Sequence, residues 1–329
     1  MIVKEENIYT WPNKAFPFRL LLDSRECRIF ILENIAHNYK WLKKYKNKIR
    51  ENDFFFVILG WNLSEYLAEH SRFTIDSLGL RNENFFILYN CHEEKRNGQK
   101  FNLNGRVINH NAWLEPSRFK PKPIKKKYDA LYIARPSEFK NHNFASKIDN
   151  LALAAGGNAH GPALTSLPKS KNDPTKMLNK NEIINLINES RCGLCLSTEE
   201  GSCYSSSEYL LCGVPVVSVK SKGGRDVWYS SENSIICEPN AEAVSEAVNI
   251  ANDREWDAEL IRSNHINQAN HYKNIFIDEI QKKLDRFNFS KSNARDLFES
   301  NFDWYCRSSV DSTGEKTSNI EKLGYFFGS

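Results

Sequence analysis

The 329-residue chain contains no stretch of about 18 uninterrupted apolar residues, so no segment is suited to cross a bilayer as a helix. Its opening residues, Met1 to Trp11, lack the apolar centre of a secretion signal, and the expected location is the cytoplasm. A dominant sign of charge is missing too: 45 basic against 41 acidic residues leave a formal net charge of +4. So small an excess over this length excludes a general polyanion-binding surface, and nucleic acid is not an expected partner. There is no repeat of solenoid length and no low-complexity tract, which excludes stacked-repeat architectures.

What the chain does have is an ordinary globular composition. Hydrophobic residues make up 40%, charged 26% and aromatic 12%, which rules out a disordered, collagen-like or coiled-coil chain. At about 150 residues per domain the length implies two domains, each with its own core. Of the eight cysteines, five lie in or beside apolar runs of the second half, the pattern of buried reduced thiols. Cys192 and Cys195 have the spacing of a redox pair, but they sit in one apolar strand pattern, where residues three apart point to opposite faces. A redox pair favours a helix N-terminus and a zinc site needs further ligands, so both are read as structural.

Short apolar runs alternate with helical patterns through the first third: Cys27 to Leu32, Ala36 to Asn52, Phe54 to Leu59, Ser64 to Phe73, Phe85 to Tyr89, and then Arg106 to Ile108. Such alternation implies a parallel sheet covered on both faces. The runs at 54–59 and 85–89 are apolar without alternation, as strands buried from both sides should be. Pro116, Pro121 and Pro123 then interrupt any helix, and Lys125 to Lys127 form a charge run. This segment reads as an interdomain linker with a solvated face, and peripheral contact with an anionic membrane or acceptor is its alternative role. A second series follows: strand Ala130 to Ala134, a helix to about Asn150, strand Leu151 to Ala155, helix Asn181 to Ser190, strand Cys192 to Ser197, helix Ser202 to Leu211 and strand Val214 to Val219. Helical spacing returns over Ala241 to Asn252 and Asp257 to Phe287. The expected domains are 1–121 and 122–287, with a tail at 288–329 that packs back on the first domain or stays partly disordered.

The chemistry concentrates where a buried strand ends at Ser197, a glycine turn follows at Gly201, and a helix begins. Open parallel sheets place ligands beyond the carboxyl ends of their strands, and a helix start favours an anion. Glu200 sits at the strand exit and Glu208 about two turns into the helix. Carboxylates accept hydrogen bonds from vicinal hydroxyls and repel phosphate, so the arrangement suits a ligand with sugar at both ends and phosphate between.

Glu200 and Glu208, followed by Cys212-Gly213-Val214-Pro215-Val216-Val217, resemble the donor-site signature of GT-B glycosyltransferases, particularly the retaining family 4 type. Residues 128–135 with Lys140 resemble the first donor-domain strand and its Gly-Arg…Lys loop, with Ala134 in the place of glycine. Val107 to Asn111 and Arg118 to Pro121 resemble the lead-in to that domain. Gly223-Gly224-Arg225-Asp226-Val227 resembles a Gly-Gly-x-x-Glu turn, with Asp226 shorter by one methylene. The resemblance covers residues 105 to 255 and implies an α/β fold of two Rossmann-like domains facing a cleft, with a reduced N-terminal domain. It implies that Arg135 and Lys140 clamp the diphosphate and that Glu208 binds the ribose. It further implies that Glu200 holds the transferred sugar, while Gly201, Ser202, Cys203 and Tyr204 present main-chain N–H groups. Catalysis would rest on Glu200, Arg135 and Lys140, with no divalent metal and no cofactor beyond the nucleoside-diphosphate sugar, retention of configuration, and a glycan, lipid-linked or small-molecule acceptor.

The first domain departs from that pattern. The strand ending at Leu32 runs into Glu33-Asn34-Ile35 with no glycine, and the strand Phe54 to Leu59 ends in Gly60-Trp61-Asn62 where many relatives place a histidine. Trp61 is either a core residue or a stacking platform for a sugar. His92 and His110 are expected in loops beyond their strands, Gly156-Gly157 in a turn, and 158–180 beside the nucleotide base. A catalytically silent module that binds sugar nucleotide or glycan is the second reading, and an epimerase or phosphorylase on the same architecture the third.

Overall fold

The computed structural model describes residues 18–156, 167–287, 289 and 293–301. They form two compact units, one of the described residues up to Trp113 together with those from His271 on, the other Leu114–Asn270.

The first unit contains β1 (Phe18–Asp23), β2 (Arg28–Glu33), α1 (Tyr39–Tyr45), β3 (Asp53–Ile58), α2 (Glu65–Ser77), β4 (Phe85–Tyr89), α3 (His92–Lys100) and β5 (Gly105–Val107). Its sheet runs in the order β1-β2-β3-β4-β5, with β2 to β5 parallel and β1 antiparallel on the edge. The apolar runs are buried on both faces, as expected. On one face Phe30, Phe55 and Phe85, adjacent in register, stack as a column with 5.0 Å between successive ring centroids. On the other, Phe56 meets Phe276 edge-on at 4.9 Å. Phe276 belongs to α7 (Ala258–Arg286), and Phe298 of α8 (Ala294–Asn301) reaches Trp113 beside it. The residues after 301 lie outside those described.

Three buried ionisable side chains shape this unit. Arg28 donates two hydrogen bonds to Asp53 across the β2–β3 register, and the Arg50 backbone N–H also donates to Asp53 at 2.8 Å. Glu94, with no exposed surface, lies in the first turn of α3 and accepts from the backbone N–H groups of Asn90 at 2.6 Å and Leu63 at 3.3 Å. Burial, only partly offset by those hydrogen bonds, pushes its carboxyl up to about 7.

The second unit contains β6 (Tyr128–Ile133), β7 (Leu151–Ala154), α4 (Lys180–Asn188), β8 (Ser190–Cys195), α5 (Tyr204–Leu211), β9 (Val216–Val219), β10 (Ser234–Cys237), α6 (Ala241–Asp253) and the start of α7. All pairings in its sheet are parallel and the strand order is β10-β9-β8-β6-β7. Asn179 and Glu182 form a capping box on α4, and Asn240 caps α6.

Several expectations meet a different outcome. The segment between β6 and β7 holds two 3-10 turns, Glu138–Lys140 and His142–Ala145, not a helix, because the backbone there is diverted by Asn141 in a left-handed conformation (φ 50°). The helix expected over Ala36 to Asn52 is α1 flanked by short 3-10 turns and ends before Ile49. Instead of a loop, His92 opens α3, and His110 lies buried in a 3-10 turn. Strands β1 and β10 are additions to the sequence reading. The unit boundary falls at Trp113, ahead of the expected residue 121, since the proline segment binds the second unit: Arg262 donates to the carbonyls of Pro116 (2.7 Å) and Phe119, and Asn188 accepts from the Lys122 backbone. The lysine run is tied down as well, Lys126 donating to the Ser190 carbonyl and Lys127 to Glu189.

Replacing Asp53 with Ala strands the Arg28 guanidinium in the core and should cost about 3–5 kcal/mol in a urea unfolding measurement. For Glu94, the folded chain holds a proton between pH 4.5 and about 7 that the unfolded chain releases, so stability should fall as pH rises through that window. The change is ~3 kcal/mol, and the profile of Glu94→Gln should be flat over the same window.

Candidate active site

In the second sheet the chain leaves β6 for β7 on one side and returns to β8 on the other. That reversal opens a crevice beyond the carboxyl ends of β6 and β8, the place where open parallel sheets bind ligands. The candidate residues lie on the two loops that border it.

The loop after β6 carries Arg135 and Lys140. Three side chains brace it: the Tyr132 hydroxyl donates to the Lys140 carbonyl, His142 Nε2 donates to the Arg135 carbonyl at 3.1 Å, and Asn141 Nδ2 donates to Leu196 O at 3.1 Å. Burial lowers the His142 pKa, aided by the charge of Lys140, which keeps the ring neutral in its donor role. Arg135 is exposed, and both it and Lys140 lie over the Phe139 ring, at 5.4 and 5.1 Å from its centroid. Among the described residues the Arg135 guanidinium has no carboxylate partner.

The loop after β8 carries Glu200, which is buried. Its Oε2 lies 2.8 Å from Lys140 Nζ and its Oε1 3.6 Å from Arg225 Nη1, and Ser197 donates a hydroxyl hydrogen bond to it. Burial by itself would raise this carboxyl's pKa; Lys140 and Arg225 outweigh that and hold it below the usual range. Glu200 is therefore ionised at neutral pH. Arg225, wholly buried, donates to the carbonyls of Ser197 (3.0 Å) and Val219 and pairs with Asp226 at 3.2 Å. Its charge opposes burial, and the surrounding Tyr229, Cys195, Cys203 and Asp226 more than compensate, raising its pKa.

A backbone zipper sets this geometry. Glu200 N donates to Lys222 O, Lys222 N to Thr198 O, and Gly224 N to Gly201 O. Gly223, at φ +101°, passes so close that a Cβ there would lie 1.8 Å from the Glu200 carbonyl oxygen. Only glycine fits both the conformation and the space.

Residues Gly201 and Ser202 form the turn into α5, with Cys203 at its cap in a left-handed conformation (φ 54°) and Tyr204 as its first residue. Glu208 is buried on α5 a little over one turn from the start, nearer than the expected two turns. The next residue, Tyr209, anchors the helix to β6: its hydroxyl donates to Leu131 O at 3.2 Å and accepts from Ile133 N at 2.9 Å. Gly193 makes room, since a Cβ there would lie 2.3 Å from the Tyr209 ring. Lys140, Glu200 and Arg225 thus converge directly, Arg135 shares Phe139 with Lys140, and Glu208 is held on a helix pinned beside the end of β6.

Residues 169–269 match the family model of glycosyl transferases group 1. Among solved structures, HepE from Anabaena in complex with UDP aligns with a TM-score of 0.54 at 14% identity, over 74% of this chain and 74% of that one. Sucrose-phosphate synthase from Thermosynechococcus elongatus aligns with a TM-score of 0.55 at 12% identity, over 83% of this chain and 74% of that one. The fold is that of the GT-B glycosyltransferases. HepE in complex with UDP-glucose also aligns, with a TM-score of 0.53 at 16% identity over 74% of each chain, and at such identities the likeness concerns the fold. No curated protein sequence matches the chain. The expected GT-B architecture of α/β units agrees with both sheets.

From the sequence, Gly223 and Arg225 entered only as part of a turn and Ser197 only as a strand end, none with a role in the site, and His142 was not singled out. Arg225 stands inside the Gly-Gly-Arg-Asp turn, and no local pattern reveals that its guanidinium is buried beneath Glu200. In the first unit of this GT-B fold, Asn34 at φ 54° turns the chain after β2, where the sequence has no glycine, and its carbonyl accepts from Asn38. Trp61 is half-buried. Gly156, at φ +79°, does turn the chain, while Gly157 and 158–166 lie outside the described residues. Among the described residues no cluster of three or more His, Cys, Asp or Glu side chains is arranged to hold a metal ion.

Gly223→Ala should lower stability by about 2 kcal/mol through its strained φ and the collision with Glu200. Urea unfolding measures the cost, and a midpoint equal to that of the parent chain would show that the zipper tolerates a side chain.

Proposed function

We propose that the chain transfers a sugar from a nucleoside-diphosphate sugar to a glycan, lipid-linked or small-molecule acceptor. The observation that carries this reading is the meeting of Lys140 and Glu200, at 2.8 Å, across the crevice where the strand order reverses. The match of residues 169–269 to glycosyl transferases group 1 supports it, and HepE in complex with UDP-glucose makes a uridine diphosphate sugar the first donor to try.

In this reading Glu200 accepts hydrogen bonds from hydroxyls of the transferred sugar and steadies the positive charge that develops on it. It stays ionised without metal because Arg225 supplies a permanent counter-charge from beneath. Arg135 and Lys140 face the departing diphosphate, whose negative charge grows as the glycosidic bond breaks. Fixed cations aimed at growing charge stabilise the transition state more than the bound substrate. The turn at Gly201 to Tyr204 lies where helix N–H groups favour an anion, and Glu208 accepts from the ribose hydroxyls. Retention of configuration, independence of metal and transfer of a hexose belong to the same proposal. The tied-down lysine segment offers little to an anionic membrane, and any peripheral contact of this kind is part of the proposal alone.

The test pairs binding with turnover. A uridine diphosphate hexose should raise the melting temperature of the parent chain, as a ligand specific to the folded state does. Glu200→Gln should keep the fold and lose about a hundred-fold or more in transfer rate. Donor-induced stabilisation with no transfer or donor hydrolysis by the parent chain would favour a silent binding module, and full turnover by the variant would remove Glu200 from the reaction.

A further inference from the structure

The chain contains two Asn-Gly pairs, Asn97-Gly98 and Asn104-Gly105, and one side chain makes both glycines necessary. The Tyr89 ring lies between them: a Cβ on Gly98 would sit 2.1 Å from its hydroxyl oxygen, and one on Gly105 would sit 2.7 Å from its ring and 2.1 Å from the Ile87 carbonyl oxygen. Tyr89 is fully buried and its hydroxyl donates to Leu103 O at 2.9 Å, so the ring has nowhere to retreat. Packing thus restricts both positions to glycine. It also sets each asparagine, a thermally labile residue, before one with no side chain, whose main-chain nitrogen is the least hindered nucleophile toward the asparagine amide.

The two asparagines meet different surroundings. Asn97 is half-buried inside α3 and its Nδ2 donates to Leu63 O at 2.9 Å, while Gly98, buried in the same helix, commits its N–H to the turn before. Asn104 is exposed, stands just ahead of the edge strand β5, and its side chain makes no hydrogen bond among the described residues. Its main-chain carbonyl accepts from Ile87 N at 2.8 Å, which turns the Asn104 backbone toward β4. Neighbouring residues of a parallel strand bond to opposite sides, so the N–H of Gly105 faces the open edge of the sheet. We propose that Asn104 is a site of spontaneous covalent modification, its side chain closing on the Gly105 nitrogen to a succinimide that opens to aspartate and isoaspartate.

The chemistry needs only water. The Gly105 main-chain nitrogen loses its proton to base and attacks Cγ of Asn104; the bond from Cγ to Nδ2 breaks, and ammonia leaves with a proton taken back from solvent. Water then opens the ring. Breaking the bond from nitrogen to Cγ gives aspartate, and breaking the bond from nitrogen to the main-chain carbon gives isoaspartate. Nothing is oxidised or reduced. Isoaspartate routes the chain through Cβ and Cγ, which adds a methylene ahead of β5 and withdraws the carbonyl that Ile87 N bonds. Aspartate leaves the backbone path unchanged, so only the isoaspartate product weakens the β4–β5 ladder. None of this depends on the sugar transfer proposed above.

The experiment ages the full chain at mildly alkaline pH, folded and in urea, and digests samples briefly with trypsin. Cuts after Arg96, Lys100 and Arg106 place Asn97 in the peptide 97–100 and Asn104 in the peptide 101–106. Mass spectrometry reads the change from amide to acid, and an isoaspartate-specific methyltransferase scores the rearranged product. In the folded chain the peptide 101–106 should convert several-fold faster than 97–100, with isoaspartate the larger product; in urea the two should convert at similar rates. Asn104→Gln, whose longer side chain closes far more slowly, should stop the conversion and so exclude Asn102 of the same peptide as its source. Asn104→Asp should keep the parent's urea midpoint while the aged parent falls below it. A folded chain in which 101–106 stays unchanged, or converts no faster than 97–100, overturns the proposal, and so does conversion that persists in Asn104→Gln.

Discussion

One buried carboxylate organises the second unit. Glu200 is taken out of water at the end of a strand, which by itself would favour its neutral form, yet it is held ionised between Lys140 and Arg225. Arg225 in turn tolerates complete burial only because the carbonyls of Ser197 and Val219 and the carboxylate of Asp226 satisfy its fork of donors. The turn that delivers Arg225 comes close enough only through Gly223, which has no side chain to collide with the Glu200 backbone. Losing one member weakens its neighbours: without Lys140 or Arg225 the buried Glu200 keeps a single cation, and without Glu200 or Asp226 the buried Arg225 keeps a single carboxylate. The site is thus a closed set of mutual dependences and not a row of independent contacts.

The two sheets differ in the feature that creates a binding crevice. Beyond the antiparallel edge strand, the first sheet adds its parallel strands in chain order, while the second reverses direction between β6 and β8. Only a reversal splays the two connecting loops apart and leaves a gap at the strand ends. The family match at 169–269 falls within the unit that has the reversal, and so do the Lys140 and Glu200 loops that flank it. The first unit places a different polar group at its strand ends: Glu94, buried and satisfied by backbone N–H groups, which closes the carboxyl end of β4.

Much of this was legible in the chain itself. The continuous apolar runs at 54–59 and 85–89 read as doubly buried strands, and the Phe30–Phe55–Phe85 column and the Phe56–Phe276 contact show both faces filled. A strand exit followed by a helix start marked Glu200 and the glycine turn, while Lys140 was named through the family resemblance, and the structure brings it to 2.8 Å from Glu200. Other features were not legible. The segment after β6 has helical residues but forms 3-10 turns, since Tyr132, His142 and Asn141 pull its backbone toward β6 and β8. After β2, where the sequence has no glycine, Asn34 makes the turn because asparagine also tolerates the left-handed region.

By itself the sequence determined the alternation of strands and helices, the division into two α/β halves, and which short segments carry the candidate chemistry. These follow from periodicity and turn chemistry, which act between near neighbours. The tertiary structure alone decided which cations lie against Glu200 and where the unit boundary falls. Those outcomes depend on strand order and on close backbone approach between segments far apart in the chain, and no local pattern encodes either one.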